Sequence, residues 1–177
     1  MTDTIQERKD KVILDACCGG RMFWFDKHNP KALFVDNRVM ERQLIWSGRG
    51  ERKGEEVYFE VKPDEVMDFR HLDLPSNHFS LVVFDPPHII ENCKSGYQKK
   101  KYGSLSPQTW RDDLREGFAE CFRVLKPNGV LIFKWNEVDF PVSEVLKLTP
   151  ERPLFGHKSG KQQKTHWITF MKLEDSL

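Results

Sequence analysis

No stretch of the 177 residues comes near the roughly 18 consecutive apolar residues that a membrane-spanning helix needs, so the sequence offers no transmembrane segment. Net charge is almost absent as well. The 28 Lys plus Arg face 27 Asp plus Glu, so no global field announces a polyanionic partner, and only local clusters of charge remain to be considered. Cysteine is scarce: Cys17, Cys18, Cys93 and Cys121 lack paired metal-ligand spacing, and two adjacent thiols make a poor disulfide framework. They read as reduced thiols with no bound metal. The opening MTDTIQERKDK is polar where a signal peptide would be apolar, which makes a cytoplasmic location the expectation. Without internal repeats or low-complexity tracts, the chain reads as one domain over residues 1–177.

What is present is an alternation of short apolar runs and helical patterns. KVILDACCGG carries a strand at Val12 to Asp15 that breaks at a turn of small residues, and RMFWFDKHNP allows a short helix stopped by Pro30. KALFVDNR is a second apolar run, ending in Asp36. QLIW and VYFEV flank a charged, glycine-punctuated stretch and predict a β-hairpin insertion around 43–61; a disordered insert is the alternative. A brief strand near Val66 and a proline loop lead to LVVFDPPHII. Trp110, Leu114, Phe118, Cys121, Phe122 and Leu125 are spaced for one face of a helix over Ser106 to Lys126, with Ser106 as N-cap and Pro107 at the first helical position. PNGVLIFKW is a turn feeding another buried strand. The tail offers a short helix around Ser143 to Lys147, a strand at Pro153 to His157 and a closing strand in THWITFMKL. Strands alternating with helices indicate an α/β sandwich whose ligand site lies beyond the carboxyl ends of the strands, where Asp15, Asp36, Asp68 and Asp85 fall.

The chemistry concentrates at those strand ends. LDACCGG brings backbone close to a ligand, although its glycines are not spaced G-x-G-x-x-G, and a tight turn without a ligand remains an alternative. Asp36 stands 21 positions after Asp15, close to the offset of an acid that accepts from both ribose hydroxyls; it could also simply cap a turn with Asn37. Asp68, with Phe69 beside it, suits the amine edge and face of an adenine, with Asp73 as its rival. In LVVFDPPHII a buried strand must stop at Asp85, because proline cannot donate to a sheet ladder.

VILDACCGG, FVDNR, VMDFRHLDLPSNHFSLVVFDPPH and FRVLKPNGVLIFKW, in that order, resemble the Rossmann-like methyltransferases that use S-adenosylmethionine. The resemblance implies a three-layer α/β/α sandwich with a mostly parallel sheet and an antiparallel last strand. It also implies that the turn Ala16 to Gly20, with Cys17 and Gly19, carries the methionine part of the cofactor, Asp36 the ribose, and Asp68 with Phe69 the adenine, with Asp15 and Asn37 also among the cofactor-binding residues. DPPH resembles the D/N-P-P-aromatic signature of methyltransferases acting on a planar nitrogen, and makes Asp85, Pro86, Pro87 and His88 the catalytic set. The Asp85 carboxylate and the Pro86 carbonyl would take the two hydrogens of an NH2 group, leaving its lone pair aimed at the methyl.

His88 departs from the Tyr, Phe or Trp usual in that signature; it could stack on a base or hydrogen-bond a neighbouring loop. Beyond it, a mobile basic loop around 91–105 offers Lys94, Lys99, Lys100, Lys101 and Tyr102 to phosphates, or merely to solvent. GHKSGKQQKTH, with Lys158, Lys161 and Lys164, is a second basic turn. A nucleic acid, RNA ahead of DNA, is the expected partner, with a partner protein as an alternative source of specificity. Methylation of a protein amide or a small molecule, and a non-catalytic cofactor-binding subunit, are the competing functions.

Overall fold

The computed structural model describes residue 8 and residues 10–90, 96–160 and 162–173. Cys93, Lys94 and Lys161 lie outside the described residues. Among the described residues nine strands form, and seven of them build one sheet in the order β5-β2-β1-β6-β7-β9-β8. They are β1 (Ile13–Asp15), β2 (Ala32–Asp36), β5 (Glu65–Val66), β6 (Phe79–Phe84), β7 (Leu125–Asn136), β8 (Phe155–Ser159) and β9 (Thr165–Met171). β1, β2, β5, β6 and β7 run parallel, while β9 is antiparallel to both its neighbours. The mostly parallel sheet with an antiparallel last strand is the expected one.

The remaining strands, β3 (Met40–Ser47) and β4 (Glu56–Val61), pair antiparallel as a separate ribbon between β2 and β5. Among the described residues the helices are α1 (Gly96–Tyr102), α2 (Trp110–Val124) and α3 (Val142–Val145), the last continued by a 3-10 turn at Leu146–Leu148.

Two sequence expectations need correction. The helix foreseen from Ser106 starts at Trp110, because the Ser106 hydroxyl accepts from the Gln108 N–H and closes a turn ahead of it. No helix forms between β1 and β2. Gly19 and Arg21 both sit in the left-handed region, at φ of 48° and 52°, and two such residues within three positions cannot continue a right-handed helix.

The two faces of the sheet are therefore covered differently. On one face α2 lays Leu114, Phe118 and Cys121 against Leu131, Phe133 and Phe170, all essentially without exposed surface. Phe118 meets Phe133 and Phe84 at ring-centroid distances of 4.8 and 5.3 Å. Each such side chain contributes about 1.5–3 kcal/mol by leaving water. Gly117 allows the close approach, since a Cβ there would stand 2.6 Å from the Phe69 ring and 2.7 Å from Phe84. On the other face the cover is a small cluster in which Trp24 packs edge-on to Phe34 at 4.7 Å, and the Arg21 guanidinium lies 3.8 Å over the Phe34 ring.

Candidate active site

Parallel strands put their carboxyl ends on one edge, and four neighbouring strands each deliver an acid there: Asp68 beyond β5, Asp36 ending β2, Asp15 ending β1 and Asp85 directly after β6. A cavity of about 470 Å³ opens at this edge, bordered by Ala16, Cys17, Asp36, Asn37, Phe69 and Asp85. Pro87, Lys99 and Tyr102 close its other side. Gly19, Gly20, Pro86, His88 and Lys101 border a narrow adjoining space that shares Cys17, Asp85 and Tyr102 with the cavity.

Asp15 lies beneath this floor with no exposed surface and accepts from Trp24 Nε1 at 2.7 Å and the Cys17 N–H at 3.3 Å. Burial raises its pKa to about 7, with the nearby Asp85 and Asp36 adding to the rise. Burial likewise pushes up the Cys17 thiol, so it is no ready nucleophile. The motif glycines serve the fold first. Gly19 takes the left-handed conformation and donates its N–H to Asp36, while a Cβ on Gly20 would collide with the Phe59 ring of β4 at 2.5 Å.

Asp36 is buried and already receives four donors: the Gly19 N–H at 2.9 Å, the Arg38 N–H at 3.0 Å, and Arg38 Nε and Nη2 at 3.0 and 3.2 Å. Asp68 repeats the pattern. It accepts from the Arg70 N–H and Nε at 2.9 Å and from Nη2 at 2.6 Å, and this pairing lowers its pKa. Arg70 also reaches Asp113 of α2 at 2.9 Å. Phe69 and Arg70 border the cavity while Asp68 does not, so the structure separates the two residues that the sequence grouped for an adenine.

Asp85 is held by Lys134 of β7, whose ammonium lies 2.5 Å from Oδ2 and also 5.4 and 5.6 Å from the ring centroids of Phe23 and Trp167. Burial raises the Asp85 pKa and Lys134 opposes the rise. Asp85 also borders a second chamber of about 320 Å³, together with His88, Tyr102, Lys134, Asn136 and Thr165. The His88 ring is 5.4 Å from Tyr102 and 6.3 Å from Trp135, centroid to centroid.

The basic segment read as a loop is helical from Gly96 to Tyr102, and a helix turns about 100° per residue, so its lysines part company. Lys99 borders the 470 Å³ cavity, Lys100 donates to Gln43 of β3 at 3.3 Å, and Lys101 lies 5.3 Å from the Tyr102 ring centroid. Sequence reasoning missed Arg38, Arg70, Asp113 and Lys134. The first two carried a signal: both stand two places after a strand-end acid, in Asp36-Asn37-Arg38 and Asp68-Phe69-Arg70.

The raised pKa of Asp15 has a measurable sign. Between its ordinary value of 3.8 and about 7 the folded chain keeps a proton that the unfolded chain has released, so this group's contribution is complete below the ordinary value and is lost as pH climbs to about 7. Asp15→Asn should lack this slope. Urea unfolding at pH 4 and pH 7 should show the native chain losing roughly 3 kcal/mol more than the variant, and parallel pH profiles would refute the burial argument.

No family model matches the chain. An 89-residue stretch is 30% identical to the RNA1 polyprotein of Arabis mosaic virus (isolate NW); it covers 44% of this chain, which thus spans only 4% of that relative's length. The fold has clearer counterparts. The PH0226 protein of Pyrococcus horikoshii superposes with a TM-score of 0.56 at 15% identity, over 97% of this chain and 86% of that one. A SAM-dependent methyltransferase of Methanosarcina mazei gives 0.53 at 12% identity, over 94% of both chains. A geranyl diphosphate methyltransferase in complex with GPP and sinefungin also gives 0.53, at 8% identity over 93% of this chain and 72% of that one. The mostly parallel sheet with its antiparallel last strand is thus the Rossmann-like fold found in S-adenosylmethionine-dependent methyltransferases.

Proposed function

We propose that the chain is an S-adenosylmethionine-dependent N-methyltransferase whose acceptor is the exocyclic amino group of a nucleic-acid base, with RNA ahead of DNA. The observation that carries this reading is the position of Asp85, a carboxylate that borders both the 470 Å³ cavity and the 320 Å³ chamber. In-line transfer needs a donor on one side of such a group and an acceptor on the other.

The residues of the larger cavity fit the cofactor. The cofactor would supply an electrophilic methyl on a positively charged sulfur, and the acids Asp36 and Asp85 border the cavity that would receive it. Asp36 would hold the ribose hydroxyls, Phe69 one face of the adenine, and the turn from Ala16 to Gly20 the methionine end.

Lys134 occupies Asp85 Oδ2 and leaves Oδ1 to accept one hydrogen of the amine, while the carbonyl of Pro86, which borders the narrow space beside Asp85, would accept the other. With its hydrogens engaged, the nitrogen would present its lone pair; the N–C bond would form as the C–S bond breaks and a neutral thioether leaves, Asp85 would stabilise the positive charge growing on nitrogen, and one N–H proton would then pass to solvent. Burial raises the Asp85 pKa, and Lys134 opposes that rise by favouring the ionised form. Fixing both reactants is worth up to about 7–11 kcal/mol of barrier in ideal cases. His88 and Tyr102 border the chamber and offer ring faces to a planar acceptor.

The chamber's small size also favours a second reading, transfer to a small planar amine. Incubation with isotope-labelled S-adenosylmethionine and separate pools of DNA, ribosomal RNA, transfer RNA and protein, followed by nucleoside mass spectrometry, decides between them. Label on a base amino group is expected. Label in protein, or cofactor binding without transfer to any polymer, would overturn the proposal.

A further inference from the structure

Most arginines of this chain are spoken for. Arg8, Arg21, Arg38, Arg52, Arg70, Arg111, Arg115 and Arg123 each face a carboxylate within 4 Å. The exceptions are informative where they gather. A cleft of about 720 Å³ runs between the β3-β4 ribbon and the turn after β1, and Lys27, Arg42, Lys62 and Lys101 all border it. None of these four has a carboxylate partner among the described residues. They come from four separate segments: the turn after β1, strand β3, the β4-β5 connection and helix α1.

Two acids border the same cleft. Asp64 is consumed by Arg21 at 2.7 Å, which leaves Glu60 alone against the four cations. Tyr58, itself 44% exposed, adds an aromatic surface with the Arg42 guanidinium 4.5 Å from its ring centroid. The flank is rigid: Arg21 ties the turn to the Lys62 carbonyl at 3.0 Å, and Lys100 ties α1 to Gln43 of β3. The cleft also leads somewhere. Gly19, Gly20, Met22 and Lys101 border both it and the narrow space that reaches Asp85, Pro86 and His88.

We propose that this cleft is the track of a single-stranded polynucleotide, whose phosphates rest on Lys27, Arg42, Lys62 and Lys101 and whose target base enters the chamber beside Asp85. The proposal rests on the reading of the acceptor as a nucleic-acid base and adds the surface that carries the strand. Unpaired cations alternating with an exposed aromatic ring are the combination that follows a phosphodiester backbone without reading its sequence. A single strand also offers its exocyclic amines with little unstacking, whereas a duplex must first extrude them.

The test is fluorescence anisotropy of labelled oligouridylate and oligodeoxythymidylate across a salt series. It compares the native chain, the variant Arg42→Glu with Lys62→Glu, and a matched control, Lys11→Glu with Lys126→Glu, at the amino edge of the sheet. Each phosphate contact on a single strand contributes about 0.7 to the slope of log K against log salt, so losing two should flatten it by about 1.4. The control should keep the native slope, and the two probes separate RNA from DNA. Sinefungin calorimetry on the same samples should give unchanged affinity, which shows that the variants are folded.

A native slope in the cleft variant with sinefungin binding intact overturns the track. So does a native chain that binds sinefungin but neither oligonucleotide. Label on a base amino group together with an unaltered slope in the variant would overturn the track alone and leave the reading of the reaction standing.

Discussion

Asp85→Asn is expected to lower turnover about 10²–10³-fold while leaving sinefungin affinity within a few-fold of native. The asparagine keeps the shape, and Lys134 decides its orientation. An ammonium 2.5 Å from Oδ2 will draw the amide oxygen toward itself, so the amide NH2 turns to the acceptor. Two donors then face each other where a donor and an acceptor stood, and the amine loses the oxygen that aligned its lone pair. Single-turnover kinetics with a saturating labelled cofactor, paired with calorimetry, read the two quantities separately. Parallel loss of both would mean that Asp85 serves the cofactor and not the acceptor. Asp85→Ala is the harsher companion, because it leaves the half-buried Lys134 without a counterion.

Asp36→Ala is expected to weaken sinefungin binding by roughly 1.5–3 kcal/mol, or about 10- to 150-fold, the range for hydrogen bonds to a charged group. The side chain does more than meet a ligand. It accepts the Gly19 N–H at 2.9 Å, so its removal also frees the turn that would hold the methionine end. Arg38→Ala separates the two roles, for it leaves the Gly19 bond in place and takes away only the guanidinium. If Asp36→Ala binds sinefungin as tightly as the native chain, the carboxylate is a structural cap and the cavity's ligand lies elsewhere.

The strand-end acids were legible because an apolar run that stops abruptly at Asp15, Asp36 or Asp85 encodes both the strand and its edge. The face of α2 was legible for a similar reason: Trp110, Leu114, Phe118, Cys121 and Phe122 repeat at helical spacing, and all are buried. What escaped depends on register between distant segments. Lys134 meets Asp85 because Phe84 pairs with Phe133 across β6 and β7, a juxtaposition of residues 49 apart that no local pattern announces. The turn between β1 and β2 looked helical by its aromatics. Long-range bonds decided otherwise, with Trp24 committed to Asp15 and Arg21 to Asp64 and the Lys62 carbonyl. The lysines of 99–101 were read as one patch, and only their winding into α1 shows that each addresses a different neighbour.

The four donors on Asp36 have a consequence for how a ligand arrives. A carboxylate offers about four lone-pair positions, and all are taken before any ribose appears. If Asp36 takes the ribose, as proposed, entry would be an exchange: an incoming hydroxyl would unseat part of the Arg38 guanidinium, whose Nη1 already lies 3.5 Å from the Lys100 carbonyl of α1. The displaced arm has the backbone of that helix within reach, and the same helix carries Lys101 and Tyr102. Arg38 thus joins the acid of β2 to helix α1, so that under the proposed reading a ligand in the first cavity would be felt at the wall of the second through one side chain.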